Sequence, residues 1–244
     1  MNERDFNQEY LDNEERKYAY DFDTTVRDLF LKRVAPQVLR SGNSLEIGAY
    51  LGDMTEQILK YVSELEVVEP SSELVAHLRE RFQNLVVHQS AIETFEPQSK
   101  YQNIFLIHTL EHLEYPVEAL RRITQLLDSK GKLFVMVPNA NALSRQIAVQ
   151  MGIISHSSAV TKGEKLHGHF RTYSLETLLL DIREAGLNPI DFGGVVVKPM
   201  ANFQLDAAIA QGIISEEFIE GCDRLARVFP DFSSSIFAVC ETGA

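Results

Sequence analysis

The stretch Ser44-Leu45-Glu46-Ile47-Gly48-Ala49-Tyr50-Leu51-Gly52-Asp53-Met54-Thr55 constrains this chain most. A short apolar strand runs into a glycine-containing turn. Thr55, Ile58, Leu59 and Val62 then recur at helical spacing, which predicts a strand, a turn and a helix with those residues on its inner face. Glycine in such a turn can take a positive φ, and without a Cβ it lets the backbone touch a ligand laid across the strand end. The helix after the turn points free N–H groups toward the same place. A second apolar run, over 65–68, ends in Glu69, 17 residues past Gly52. An acidic residue closing the second strand of a βαβ unit is placed to accept both hydroxyls of a ribose. Together the two features predict a cofactor that contains a nucleoside.

The glycine spacing bears on which cofactor. A dinucleotide turn needs G-x-G-x-x-G, so that a pyrophosphate can rest on the helix N-terminus. Here the pattern is Glu46-x-Gly48-x-x-x-Gly52, with Tyr50 in place of the middle glycine and no Lys or Arg in the loop. That is a poor cradle for phosphate and a workable one for a cofactor without phosphates. It resembles motif I of the class I S-adenosylmethionine-dependent methyltransferases, in which one acidic residue begins the loop and a second ends the next strand. The resemblance implies S-adenosyl-L-methionine as cofactor and S-adenosyl-L-homocysteine as product. It also implies contacts to the cofactor from Glu46, Gly48, Ala49, Gly52, Glu69 and Pro70.

Composition narrows the substrate. The chain has 244 residues, 45% hydrophobic and 24% charged, which suits one α/β domain with a substantial core. With 35 acidic against 23 basic residues its formal net charge is −12, and no basic face for a nucleic acid is evident. A small-molecule or protein-tethered acceptor fits better. Cys222 and Cys240 have no spacing that suggests zinc or a disulfide framework. No apolar run approaches the ~20 residues of a membrane span, and the acidic N-terminus lacks the shape of a signal peptide. The expected location is the cytoplasm, with no membrane partner.

The first 40 residues read as a helical lid. Phe6, Tyr10, Tyr18, Tyr20 and Phe22 punctuate a polar, charged stretch, and Val26, Leu29, Phe30 and Val34 succeed them at helical spacing until Pro36 interrupts. In the resembling family this segment closes over the cofactor, which brings Tyr18 or Tyr20 to its methionine part; packing on the outside of the domain is the alternative. After Glu69, Pro70 stops the strand and Ser71 or Ser72 can cap a helix carrying Leu74, Val75, Leu78 and Phe82. A third strand over 85–87 leads to Ala91 and Ile92, carried over from the family as adenine contacts, or else ordinary packing at a strand end.

The apolar run 104–107 is a central strand, and the residues after it lie at the carboxyl edge where open α/β sheets bind ligands. Leu110-Glu111-His112 with Pro116 shortly beyond resembles the LEH…P signature of a methyltransferase branch that includes ubiquinone-type and sugar O-methyltransferases. Asn103 stands where that family usually has Asp. His108 leaves the strand facing the cofactor edge and is a candidate general base, while His112 orders the loop or meets the substrate. Since His108 ends a strand, the four-residue spacing of the two histidines does not indicate a metal pair, and no metal is expected.

A helix over 117–127, ended by Ser129-Lys130-Gly131, precedes a fifth strand over 133–137 and the family-like Val137-Pro138-Asn139. Asn139 and Asn141 can hold a polar substrate or simply form a turn. Residues 142–173 interrupt the βαβ rhythm, with a helix over 142–154 and then Gly168-His169-Phe170-Arg171-Thr172-Tyr173, which resembles the GHxRxY block of the same branch. His167 and His169 are candidates for taking a proton, with Arg171 and Tyr173 at the substrate; Arg171 can equally form a structural salt bridge. Strand six spans 187–197 and the last strand 235–240. Between them, within 200–230, two helical stretches form a wall of the substrate pocket or a dimer surface.

The expected fold is the Rossmann-like class I methyltransferase arrangement, a seven-stranded, mostly parallel sheet with helices on both faces and the last strand antiparallel. The lid occupies 1–40 and the methyltransferase domain 41–244, with substrate-site insertions at 142–173 and 200–230. The expected reaction is methyl transfer to a hydroxyl, or an amine, of a small molecule, sugar or carrier-bound intermediate. The rivals are a cofactor-binding subunit without activity and an NAD-dependent oxidoreductase, the latter disfavoured by Tyr50 and the lack of phosphate ligands.

Overall fold

Strand β1 (Ser44–Ile47) is buried along its whole length, as its apolar run requires, and pairs on both edges. The structure, a computed structural model, describes Phe6, Asn7 and residues 20–243; Tyr10 and Tyr18 lie outside the described residues. Around β1 the sheet is completed by β2 (Glu66–Glu69), β3 (Val86–Gln89), β4 (Tyr101–Ile107), β5 (Leu127–Pro138), β6 (Leu187–Val197) and β7 (Ser233–Thr242), in the order β3-β2-β1-β4-β5-β7-β6. The first five strands run parallel, and β7 is antiparallel to both β5 and β6. The strand order therefore reverses between β1 and β4. Ligands of open α/β sheets bind in the crevice that such a reversal opens at the carboxyl ends.

Central strands are covered on both faces, which explains their unbroken apolar runs. Leu45, Ile47, Ile104, Leu106, Leu133 and Val135 pack on helices α4 (Pro116–Leu126) and α7 (Leu175–Glu184). Phe105, Ile107, Phe134 and Met136 face the other way, toward α1 (Asp21–Val34) and α2 (Asp53–Ile58). Helix α1 buries Phe22, Val26, Phe30 and Val34 at four-residue spacing, and ends one residue before the Ala35–Gln37 turn that contains Pro36. Phe105 stacks on Phe134 at 5.0 Å and Phe30 meets Phe237 at 5.5 Å. Full burial of each such ring contributes roughly 1.5–3 kcal/mol.

Two sequence expectations need adjustment. Helix α2 is only six residues long and Leu59, just past its end, is 38% exposed, so Thr55, Ile58 and Val62 carry the inner face without it. Helix α4 stops at Leu126 and β5 starts at the next residue, before the Ser129-Lys130-Gly131 stop. Gly131 serves a different need, since a Cβ there would lie 2.5 Å from the carbonyl oxygen of Tyr101 on the neighbouring strand.

The insertion after β6 folds onto the N-terminal helix. Asp206 of α8 (Asn202–Ala210) accepts from the backbone N–H groups of Asp21 and Phe22 at 3.2 and 2.9 Å, and Tyr20 approaches Phe203. Asp223 of α9 (Glu216–Ala226) pairs with Arg33 of α1 at 2.5 Å, both side chains being nearly buried. The insertion after β5 contains α5 (Leu143–Gln150) and the short α6 (Lys162–Leu166). Arg145 of α5 pairs with Glu164 of α6 at 2.5 Å and joins the two. Among the described residues, no helix is long and apolar enough to cross a membrane.

Two clefts that meet at the sheet switch point

The first cleft opens between the ends of β1, β2 and β4. Gly48 has φ +77°, and a Cβ on it would sit 2.7 Å from the Thr109 hydroxyl, so both its conformation and its close approach require glycine. Its N–H donates to the carbonyl of Val68, while Thr109 donates to the carbonyls of Ile47 and Ile107 and ties the ends of β1 and β4 together. Glu69, 5% exposed, lines the floor. It accepts from the backbone N–H of Tyr50 at 3.3 Å and of Ser71 at 3.2 Å. Burial raises its carboxyl to about 7, against the lowering effect of those N–H groups. Ala91 and Ile92 form one wall, Leu113 and His112 another. The described residues lining this cleft include two carboxylates, Glu69 and Glu93, and neither Lys nor Arg, so a pyrophosphate would find no cation there.

The second cleft lies across β4, β5 and β6, beneath α1. It is lined by Tyr20, Asp23, Arg27, Glu111, Glu164, His169, Lys198 and Asn202, and it shares His108 and His167 with the first. His108 ends its strand at φ +51° and its N–H donates to the Met136 carbonyl. Its ring Nε2 is 3.2 Å from Ser235 Oγ. Burial, then the charges of Arg27, His169 and His112, holds this imidazole well below its ordinary pKa, so it is neutral at physiological pH. His169 is lowered to about 4, again chiefly by burial. Burial raises Glu111 to about 8 and lowers Lys198 to about 8, the latter opposed by nearby Asp23. Asp23, itself raised by burial, accepts from Asn202 Nδ2 at 2.6 Å. The Nε of Arg27 is buried without a hydrogen-bond partner.

Set against the sequence, Gly48, Glu69, Pro70, Ala91, Ile92, His108, His112 and His167 all line the first cleft, and Tyr20 and His169 the second. Others do different work. Glu46 is 1% exposed and lines neither cleft; it accepts from Thr55 Oγ1 at 2.6 Å and fastens β1 to α2, with burial raising its carboxyl to about 8. Ala49 packs among Val67 and, on α3 (Ser72–Arg81), Val75 and Leu78, and its backbone favours the charge on Glu69. Gly52, at φ +86°, lies against Phe82 and Leu78 and shapes the turn.

The expected substrate group is corrected more strongly. Asn139 is 4% exposed, donates to the carbonyls of Asp231 and Ser233 at 2.8 Å and accepts from the backbone N–H of Asn141, so the Asn139 side chain holds the β5–β7 corner together, Asn141 contributing its backbone. Tyr173 is 2% exposed and donates to Asp181 at 2.9 Å. Arg171 donates to the carbonyl of Glu114 at 2.8 Å and to that of Leu113, which clamps the 167–173 loop onto the turn after β4. Asp23, Arg27, Glu111, Lys198 and Asn202 also line the second cleft, and sequence reasoning did not assign them. For Asp23 and Arg27 a signal existed: two charges four residues apart beside the buried Phe22 and Val26 of an amphipathic helix.

Comparison with known proteins agrees with this architecture. A methyltransferase-domain family profile matches residues 14–191. Nodulation protein S of Azorhizobium caulinodans is 34% identical over 112 residues, 43% of this chain and 52% of that protein. The ribosomal RNA small subunit methyltransferase A of Campylobacter jejuni is 29% identical over 123 residues, 48% of this chain and 44% of that one. The chain thus spans about half the length of the curated relatives it matches. The crystal structure of the N-methyltransferase NodS of Bradyrhizobium japonicum WM9, in complex with S-adenosyl-L-homocysteine, superposes with a TM-score of 0.61 at 14% identity, over 97% of this chain and 99% of that one. The likeness is one of fold.

Proposed function

Since the chain belongs to the methyltransferase-domain family, we propose that it transfers a methyl group from S-adenosyl-L-methionine to an oxygen of a small-molecule acceptor. The observation that carries this reading is the pair of clefts meeting at His108 and His167, one suited to a nucleoside and the other polar. In the first, Glu69 accepts the ribose hydroxyls and Ala91 and Ile92 lie against the adenine. At the amino-acid end, Arg27 holds the carboxylate beside Tyr20; among the described residues lining the second cleft it is the one guanidinium. Bound there, the cofactor supplies a methyl carbon activated by positive sulfur, which passes to the acceptor oxygen while sulfur keeps the electron pair.

The remaining work is alignment and removal of one proton. His108, kept neutral, accepts a hydrogen bond from the acceptor hydroxyl and aims its oxygen across the junction. An imidazole so strongly disfavoured as a cation is a weak proton store, so the proton passes to His167, which faces both clefts. A second reading, transfer to an amine, draws support from the carboxylates Asp23, Glu111 and Glu164 in the same cleft and from the superposition on NodS, an N-methyltransferase.

Calorimetric titration with S-adenosyl-L-methionine, S-adenosyl-L-homocysteine and NAD, and then labelled methyl transfer to matched hydroxyl and amine acceptors, tests this. Binding of the first two ligands with labelling of hydroxylated acceptors is expected. Binding of NAD instead would overturn the cofactor reading; binding without transfer to any acceptor would mark a non-catalytic subunit.

A further inference from the structure

The turn after β4 brings Glu111 and His112 beside His169, a residue far along the chain. The loop carrying His169 is fixed there by several bonds: Phe170 N–H to the Glu111 carbonyl at 3.0 Å, His169 N–H to the Glu164 carbonyl at 2.9 Å, and Arg171 to the carbonyls of Leu113 and Glu114. The two imidazole rings meet edge to face with centroids 4.4 Å apart. A ligand atom from each ring and one from the carboxylate all lie within 4.8 Å of one another. Glu111 is 1% exposed, and its Oε2 is buried with no hydrogen-bond partner. An acceptor buried and unpaired in this way is destabilising unless something satisfies it.

We propose that Glu111, His112 and His169 bind a divalent first-row transition-metal ion at the junction of the two clefts. The inference rests on the reading of those clefts as cofactor and acceptor sites. Two imidazoles and one carboxylate are the donor set of catalytic zinc and non-haem iron(II) centres, in which three protein ligands leave further positions to water or substrate. Ligands at ~2.1 Å from one ion sit roughly 3–3.5 Å apart, so side chains whose ligand atoms lie within 4.8 Å of one another need close by at most roughly 1.3–1.8 Å. A cation there satisfies Glu111 Oε2. It also defines the acceptor chemically, as a molecule presenting a hydroxyl with a second oxygen donor beside it, such as a vicinal diol or hydroxy acid. Coordination makes that hydroxyl more acidic.

The test is titration of the metal-stripped full chain with Co²⁺, monitored by its visible absorption, alongside S-adenosyl-L-homocysteine calorimetry on the same samples. One Co²⁺ per chain is expected, displaced by Zn²⁺. His169→Ala and the near-isosteric Glu111→Gln should each weaken uptake by at least about tenfold, in line with the sensitivity of metal sites to ligand loss, while leaving nucleoside affinity within about twofold. Absence of stoichiometric uptake, or equal uptake by wild type and both variants, overturns the metal site. A chain that takes up one Co²⁺ through these residues but does not bind S-adenosyl-L-homocysteine upholds the metal site and sinks the methyl-transfer reading instead.

Discussion

Glu69→Gln is the sharpest probe of the cofactor site. The carboxylate sits at the end of β2, nearly buried, with its two oxygens already oriented by the N–H groups of Tyr50 and Ser71. Each oxygen keeps a lone pair for a ribose hydroxyl. Hydrogen bonds to a charged group are worth ~1.5–3 kcal/mol, and Gln retains one of the two acceptors, so the substitution should raise the Kd for S-adenosyl-L-homocysteine about 10- to 150-fold. The pH dependence gives an independent reading. Burial places the wild-type carboxyl at about 7, so it is mostly ionised at pH 8 and about a tenth ionised at pH 6. If only the ionised form accepts both hydroxyls, apparent affinity drops about tenfold over that range. Glu69→Gln has no such group, and its Kd should change little with pH. Calorimetry at pH 6, 7 and 8, with circular dichroism to verify folding, measures both effects. A folded variant with wild-type Kd at pH 8 would refute the ribose assignment, and a pH slope shared by both proteins would show that some other group titrates.

Other substitutions separate the parts of the site. Arg27→Met should weaken S-adenosyl-L-homocysteine about tenfold or more while leaving adenosine unaffected, since only the former carries a carboxylate; parallel calorimetry decides, and equal losses would place Arg27 in the fold. Gly48→Ala puts a Cβ 2.7 Å from Thr109 Oγ1 at φ +77°, adding ~1–2 kcal/mol of backbone strain to the clash. Its melting temperature and nucleoside affinity should fall together, and Thr109→Ala should restore part of each by removing the clash but not the strain. Glu46 titrates near 8 in the folded chain and near ~4.3 when unfolded. The folded state therefore holds more protons between those values, and its stability falls as pH rises through that window. Glu46→Gln removes that slope, so its stability relative to wild type should rise from pH 5 to pH 8 in urea unfolding; a pH-independent difference would contradict the buried-carboxyl assignment.

The sheet was legible because its determinants are local. An apolar run of four to seven residues, a glycine at the next turn and an acidic residue at the next strand end need no tertiary context, and β1, β2 and β4 formed where the runs placed them. The first cleft is built from those same strand ends, which is why Gly48, Glu69, Ala91 and Ile92, named from the sequence, all line it. The second cleft draws on α1, the turn after β4, the loop before α7 and the residues after β6. Nothing in linear spacing brings Arg27, Glu111, His169 and Lys198 together. Polar residues at the carboxyl edge were ambiguous for a further reason. Chain entering and leaving a sheet carries carbonyl and N–H groups that must be paired, and Asn139 and Arg171 spend their donors on that need rather than on a ligand.

Backbone strain at the second cleft is a consequence of this division. His108 and Val196 both take positive φ, at +51° and +56°, a conformation that costs an L-residue ~1–2 kcal/mol and is a genuine outlier for β-branched valine. Neither residue advertises this; valine favours strands, and β6 does run through it. The two bends fall at the carboxyl ends of strands on either side of the second cleft, and each is over-determined by its surroundings. Val196 is 1% exposed within the core, and His108 is held by its N–H bond to Met136 and its ring contact with Ser235. One bend takes His108 out of the strand to the junction of the clefts; the other precedes Lys198, which reaches the cleft wall beside Asp23. Strain at His108, which lines the cleft, and at Val196, two residues before the cleft-lining Lys198, held by packing that keeps it from relaxing, is the pattern expected where side-chain position matters more than local stability.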